Sequence, residues 1–118
     1  MTIADRYKQK PLLFLVKVIE HAPDFQPEAV EAAKREIQSR KVDRADILKA
    51  ARQVITEDID AYLDSFSVVN DKLKLPKSFF LNEEEVKLVF QTCFVRWKEE
   101  SDDMIPDSWL YVLGAGFG

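Results

Sequence analysis

Side chains suited to nucleophilic or acid–base chemistry are few in this sequence, which holds one histidine, His21, and one cysteine, Cys93. A Ser-His-Asp triad or a Cys-His pair needs an imidazole base beside its nucleophile. Cys93 stands within the apolar stripe of a predicted helix, which indicates a buried structural thiol. His21 stands near a helix end, shortly before Pro23, where the helix dipole favours a positively charged cap. We therefore predict no nucleophilic catalytic site.

Three neighbouring residues, Glu20, His21 and Asp24, could in principle contact one metal ion. Catalytic zinc usually takes three firm protein ligands, whereas this group spans the point where a helix ends against a proline. A di-iron carboxylate bundle needs a Glu-x-x-His pair on each of two helices, which one histidine cannot supply. We therefore expect no metal and no cofactor.

The glycines exclude phosphate-binding loops from most of the chain. All three of them, Gly114, Gly116 and Gly118, lie in the last five residues. A P-loop or a dinucleotide-binding turn places its glycines between a strand and a helix. Residues 1–113 therefore contain neither fingerprint.

Glu57, Asp60 and Asp64 recur at helical spacing along one face of a predicted helix. Paired carboxylates perform acid–base catalysis when burial or mutual repulsion separates their pKa values. Nothing in the sequence indicates that this face of the helix is buried. We expect it to be solvated.

The apolar periodicity predicts helices throughout the chain. From Asp43 to Phe66 apolar residues recur at intervals of three and four, as on one face of a helix. Pro27 suits the first position of a helix, where a missing N–H has no cost. Asn82 and Glu85 have the spacing of a capping box and predict another helix start. The apolar face predicted for that last helix consists of Val86, Val89, Phe90, Cys93, Phe94 and Trp97.

These patterns predict an all-α fold, a compact bundle of four to five helices in one domain that spans residues 1–118. The predicted helices are 11–21, 27–40, 43–66, 82–99 and 106–113. The short apolar run of the first of them also fits a strand. Between the third and fourth, an irregular loop is favoured, and period-2 alternation around Asn70-Asp71 leaves open a small β-hairpin near 66–75.

Residues 18–40, VIEHAPDFQPEAVEAAKREIQSR, carry a local resemblance. The segment resembles a short helical segment near the start of many uncharacterised bacterial proteins, some of which continue into membrane-associated domains. The shared residues are those that begin a helix, in the pattern PDxxPEAVEAAKxEI. The resemblance implies a helix here and implies no activity, cofactor or site residue.

Charge is distributed unevenly along the chain. Residues 34–52 hold seven basic and three acidic side chains, whereas residues 53–118 hold six basic and thirteen acidic ones. A basic surface can bind an acidic protein, anionic lipid headgroups or the acidic part of a second copy of the chain. The net charge of −4 and the lack of aromatic residues within 34–52 disfavour nucleic acid as the partner. The basic patch consists of Lys34, Arg35, Arg40, Lys41, Arg44, Lys49 and Arg52.

Aromatic residues are numerous, with eight Phe, three Tyr and two Trp. Those in or beside irregular segments are candidate anchors for a protein partner, since aromatic side chains dominate the energetics of many interfaces. The alternative is that they pack over the open end of the bundle. The candidate anchors are Phe79, Phe80, Trp109 and Tyr111.

The sequence therefore predicts a non-catalytic protein–protein interaction or adaptor module. One alternative is a helical bundle that binds a small ligand or acts as an enzyme through an internal pocket. A second is a membrane-peripheral domain that docks through the basic patch and the apolar C-terminal tail. We expect a cytoplasmic location, because no signal peptide opens the chain and the apolar run LLFLV is far shorter than the roughly 20 residues of a membrane span.

Overall fold

The computed structural model describes residues 2–66 and 74–100. Within them the chain forms five α-helices and no strand, so the predicted all-α fold is confirmed for this part of the chain. A 3-10 turn, Ala22–Asp24, follows the second helix. The helices are α1 (Ile3–Tyr7), α2 (Leu12–Glu20), α3 (Pro27–Arg40), α4 (Arg44–Asp64) and α5 (Glu83–Glu100).

The β-hairpin considered near 66–75 is not borne out by the residues that the structure describes. Phe66, Lys74 and Leu75 are not in strands, and residues 67–73 lie outside the described part. The helix predicted at 106–113 also lies outside it.

Local capping explains where three of the helices begin. Thr2 and Asp5 form a reciprocal capping box at the start of α1, a helix that the sequence patterns did not predict. Pro27 occupies the first turn of α3, as predicted. At α5 the Glu85 N–H donates to Asn82 Oδ1 at 2.8 Å, which confirms the predicted cap.

The described residues divide into two compact units. The first consists of residues 1–54 with Phe79–Leu81, and in it α1 and α2 both pack against α3. Ala29 and Ala33 are buried on α3, and these small side chains let neighbouring helices approach closely. The buried residues of this unit are Tyr7, Leu15, Val16, Val18, Ile19, Ala29, Ala33, Ile37, Ala50, Ala51, Val54 and Leu81.

The described residues of the second unit are 55–66, 74–78 and 82–100. Its described core lies between the C-terminal half of α4 and α5 and is rich in aromatic rings. Phe90 and Phe94 are fully buried and stack at 6.4 Å between ring centroids. The buried residues are Ile55, Ile59, Leu63, Val86, Phe90, Cys93 and Phe94. Val89 and Trp97, predicted on the same face of α5, are half-buried.

None of the helices in the described residues combines the length and the apolar character that a membrane crossing needs.

Candidate functional site

The segment that leads into α5 presents two adjacent aromatic rings. Phe79 is 61% exposed, a large fraction for a phenylalanine, while Phe80 beside it is half-buried. The two rings meet edge to face, with 5.0 Å between their centroids and an angle of 80° between their planes. This geometry is the favourable one for aromatic pairs, so Phe80 supports the ring that faces solvent.

Contacts from two helices fix the position of Phe79. Its backbone N–H donates a hydrogen bond of 2.5 Å to Oε1 of Glu20, the last residue of α2. The Nζ atom of Lys34 on α3 lies 5.0 Å from the centre of the Phe79 ring, a cation–π contact. Two residues further along the chain, Leu81 is buried. The backbone and the ring are thus both held while the side chain remains largely in water.

The structure therefore brings together two of the four predicted anchors, Phe79 and Phe80. The other two, Trp109 and Tyr111, lie outside the described residues. The basic patch contributes to the same site through Lys34, because its ammonium group covers part of the Phe79 ring. We call Phe79, Phe80, Lys34 and Glu20 the aromatic site.

Arg40, a second member of the basic patch, has a role inside the first unit. Its Nε donates to Glu36 Oε2 at 2.6 Å. Its Nη2 donates to three backbone carbonyls at the end of α1, those of Tyr7, Lys8 and Lys10, at 3.1, 3.1 and 2.7 Å. This guanidinium therefore ties α1 to α3.

The other basic residues lie mostly at the surface. Arg35 lies on the rim of an open groove of about 580 Å³ between α1 and α3. Lys41 ends α3 with φ of 52°, in the left-handed region, where glycine is usually found. Lys41, Arg44, Lys49 and Arg52 are exposed.

No family model, curated protein or solved structure matches this chain. The resemblance of residues 18–40 to a bacterial N-terminal segment therefore stays a prediction. Any function has to be argued from the geometry of the chain's own residues.

Among the described residues, the pKa of Cys93 shifts far enough to affect reactivity. Burial, and to a lesser extent the nearby carboxylate of Asp60, together raise the pKa of its thiol from 9.0 to about 11. Asp60 forms an ion pair with Arg96 across α4 and α5, and that pairing raises the pKa of Arg96. Cys93 is thus a buried thiol, as predicted. The side chain of Asp60 remains 42% exposed within its salt bridge, and Glu57 and Asp64 are exposed, as expected for a solvated face.

Glu20, His21 and Asp24, the three candidate metal ligands, do not form a metal-binding group in the described part of the chain. His21 is the C-cap of α2, and its backbone N–H donates to the Lys17 carbonyl at 2.9 Å. Within residues 2–66 and 74–100, no three His, Cys, Asp or Glu side chains are grouped closely enough to hold a metal ion. Glu20, one of the candidates, instead accepts the Phe79 N–H.

Sequence reasoning missed two exposed apolar residues on α5. Leu88 is 65% exposed and Val95 is 38% exposed. They are seven residues apart, so they lie on the same side of the helix, opposite its buried face. Their spacing was visible in the sequence, but apolar residues recur so often in this helix that the pattern alone does not show which of them are uncovered.

Proposed function

We propose that this chain is a non-catalytic interaction module that binds a partner protein through the aromatic site. The observation that carries the proposal is the position of Phe79. Its ring is exposed, although Glu20 of α2 accepts a hydrogen bond from its backbone N–H and Lys34 of α3 contacts the ring. A phenylalanine that packed only for stability would be expected among the buried residues. An exposed and fixed one is typical of a binding anchor.

The fixed geometry supports binding for an energetic reason. Association restricts interface side chains, at about 0.5 to 1.5 kcal/mol for each rotamer-rich side chain that is immobilised. Phe80, Lys34 and Glu20 already restrain Phe79. Much of the side-chain conformational entropy is therefore lost during folding rather than at binding. Burial of the exposed part of the Phe79 ring (61%) then contributes to affinity, and the gain is less than the roughly 1.5 to 3 kcal/mol of a complete transfer from water.

The electrostatics of the site indicate the kind of pocket that fits it. Lys34 places a positive charge beside the ring of Phe79. A partner pocket with an apolar floor and an acidic rim would complement both groups. The acidic rim would face the ammonium group without having to be buried.

The decisive test compares Phe79→Ala with the matched control Phe25→Ala, which removes a ring that is 37% exposed from the same unit. Capture of the partner by purified Phe79→Ala should fall by about tenfold or more, because truncation of a hot-spot anchor typically costs about 2 kcal/mol or more. Its melting temperature should stay close to that of the wild type. Phe25→Ala should capture the partner normally.

A photoreactive phenylalanine analogue at position 79 would identify the partner by crosslinking, with the same analogue at position 25 as the control. Equal crosslinking from both positions would contradict the proposal. So would a Phe79→Ala variant that chiefly loses thermal stability, since Phe79 would then act as a packing residue.

A further inference from the structure

A second surface lies on the solvent side of α5, which belongs to the second unit. The outward positions of this helix follow the helical repeat and contain two apolar residues, one threonine and two carboxylates. We call them the outer stripe. It consists of Glu84, Leu88, Thr92, Val95 and Glu99.

The centre of the outer stripe is more apolar than its residue types suggest. The hydroxyl of Thr92 donates to the Leu88 carbonyl one turn earlier, at 3.0 Å. Because that hydroxyl is used within the helix, the methyl group of Thr92 can add to the apolar surface. Leu88 and Val95 lie about 10 Å apart along the axis at a rise of about 1.5 Å per residue. Thr92 fills the gap between them.

The two ends of the outer stripe are negatively charged. Glu84 lies one turn before Leu88, and Glu99 lies one turn after Val95, and both are exposed. Two basic side chains of α5 are already engaged, since Lys87 pairs with Glu83 and Arg96 with Asp60. The stripe is therefore an apolar strip two helical turns long with a carboxylate at either end.

We propose that the outer stripe binds an amphipathic helix of a partner protein. That helix carries two aliphatic side chains seven residues apart, with a lysine or arginine one turn outside each of them. The aliphatic pair packs beside Leu88 and Val95, as ridges of one helix pack into grooves of another. The basic residues meet Glu84 and Glu99, which sets the register of the two helices.

A second copy of the chain does not fit this surface through α5 itself. An antiparallel two-fold pairing of outer stripes places Glu84 of one copy against Glu99 of the other, and a parallel pairing places each carboxylate against its equivalent. Both arrangements oppose like charges at the two ends of the contact, which is destabilising. The charge pattern thus selects a basic helix over a second α5.

The test uses the full chain and a stapled, alanine-rich helical peptide with two leucines seven residues apart and a lysine four residues outside each. Its twin carries glutamate in place of both lysines. We expect the wild-type protein to bind the basic peptide at least about tenfold more tightly than the acidic twin, measured by fluorescence anisotropy. Leu88→Ala should weaken binding of the basic peptide by about tenfold.

Charge reversal provides the sharper control. The double variant Glu84→Lys, Glu99→Lys should prefer the acidic peptide, while Glu57→Lys, which changes an exposed carboxylate on α4, should keep the wild-type preference. Circular dichroism establishes that each variant is folded. Equal affinity for the two peptides, an unchanged affinity of Leu88→Ala, or no binding of the basic peptide would each overturn the inference.

This inference does not depend on the aromatic site. Phe79→Ala should bind the basic peptide as the wild type does. The proposal for the outer stripe therefore still stands if the proposed function of the aromatic site is wrong.

Discussion

At the scale of single residues, Cys93 shows how its surroundings determine reactivity. The thiolate is the nucleophilic form of cysteine, and burial disfavours it. The pKa of Cys93 rises from 9.0 to about 11 because its thiol is buried, with a smaller contribution from Asp60. Near pH 8 the thiolate fraction is therefore about a hundredfold lower in the folded chain than in the unfolded one.

We expect alkylation of native Cys93 by iodoacetamide near pH 8 to be at least about a hundredfold slower than alkylation in denaturant. Asp60→Asn should raise the native rate, because it removes the negative charge that opposes the thiolate and leaves Arg96 in place. Mass spectrometry of timed samples measures both rates. A native rate equal to the unfolded rate would show that the thiol is open to solvent.

At the scale of elements, α1 illustrates a helix that depends on its neighbours. Five residues are too few for a stable isolated helix in water. The capping box of Thr2 and Asp5 satisfies its first turn, and Arg40 of α3 accounts for the carbonyls at its end. The ring of Tyr7 meets that of Phe14 edge to face at 5.3 Å, which adds a contact to α2.

Arg40→Ala should lower the free energy of unfolding by about 2 kcal/mol, because several charge-assisted hydrogen bonds are lost together. Arg40→Lys should recover little of this loss, since one ammonium group cannot reproduce the forked geometry of the guanidinium. Arg35→Ala, at an exposed position on the same helix, is the matched control and should change stability by less than about 0.5 kcal/mol. Urea denaturation measures all three variants.

Hydrogen exchange locates the effect. The amides of α1 should lose protection in Arg40→Ala before those of α3 do, because Arg40 binds the carbonyls of Tyr7, Lys8 and Lys10 at the C-terminal end of α1. Equal losses in Arg40→Ala and Arg35→Ala would show that the guanidinium contributes no more than an ordinary surface charge.

At the scale of the whole molecule, the separation of charge along the chain is the dominant electrostatic feature. Residues 34–52 carry a net charge of +4 and residues 53–118 a net charge of −7. Exposed charges attract over the Debye length, which is about 30 Å at 0.01 M salt and about 3 Å at 1 M. Basic residues of one copy can thus attract acidic residues of another at low ionic strength.

We expect weak self-association at about 0.01 M salt that disappears above about 0.5 M, seen as a fall in the sedimentation coefficient. The double variant Arg44→Glu, Lys49→Glu should remain monomeric at both concentrations, because it weakens the basic patch at two exposed positions. Sedimentation that does not change with salt in the wild type would contradict this expectation.

The parts of the fold that were predictable are those that depend on neighbours in sequence. Helix α3 begins and ends where predicted, because Pro27 determines its first turn locally. Asn82 and Glu85 form the predicted cap of α5. Helix α4 ends at Asp64, two residues before the predicted end, where Ser65 donates its side-chain hydroxyl to the Tyr62 carbonyl. Helix α1 was missed because periodicity cannot be recognised in five residues.

The aromatic pair Phe79 and Phe80 could be recognised in the sequence, since the two residues are adjacent and lie next to a helix start. The exposure of Phe79 could not, because it depends on Glu20 and Lys34, which are distant along the chain. The same holds for Leu88, whose environment depends on which side of α5 is covered.

The sequence by itself determined that the described chain is helical, where α3 and α5 begin and that Cys93 is buried. Helix formation and capping act over three or four residues, so the local sequence contains the information they need. Only the tertiary structure decided that Arg40 joins two helices, that Asp60 pairs with Arg96, and that Phe79 and the outer stripe face solvent. Those outcomes depend on packing between segments far apart in the chain, where hydrophobic burial is non-directional and residue type alone does not specify the contact.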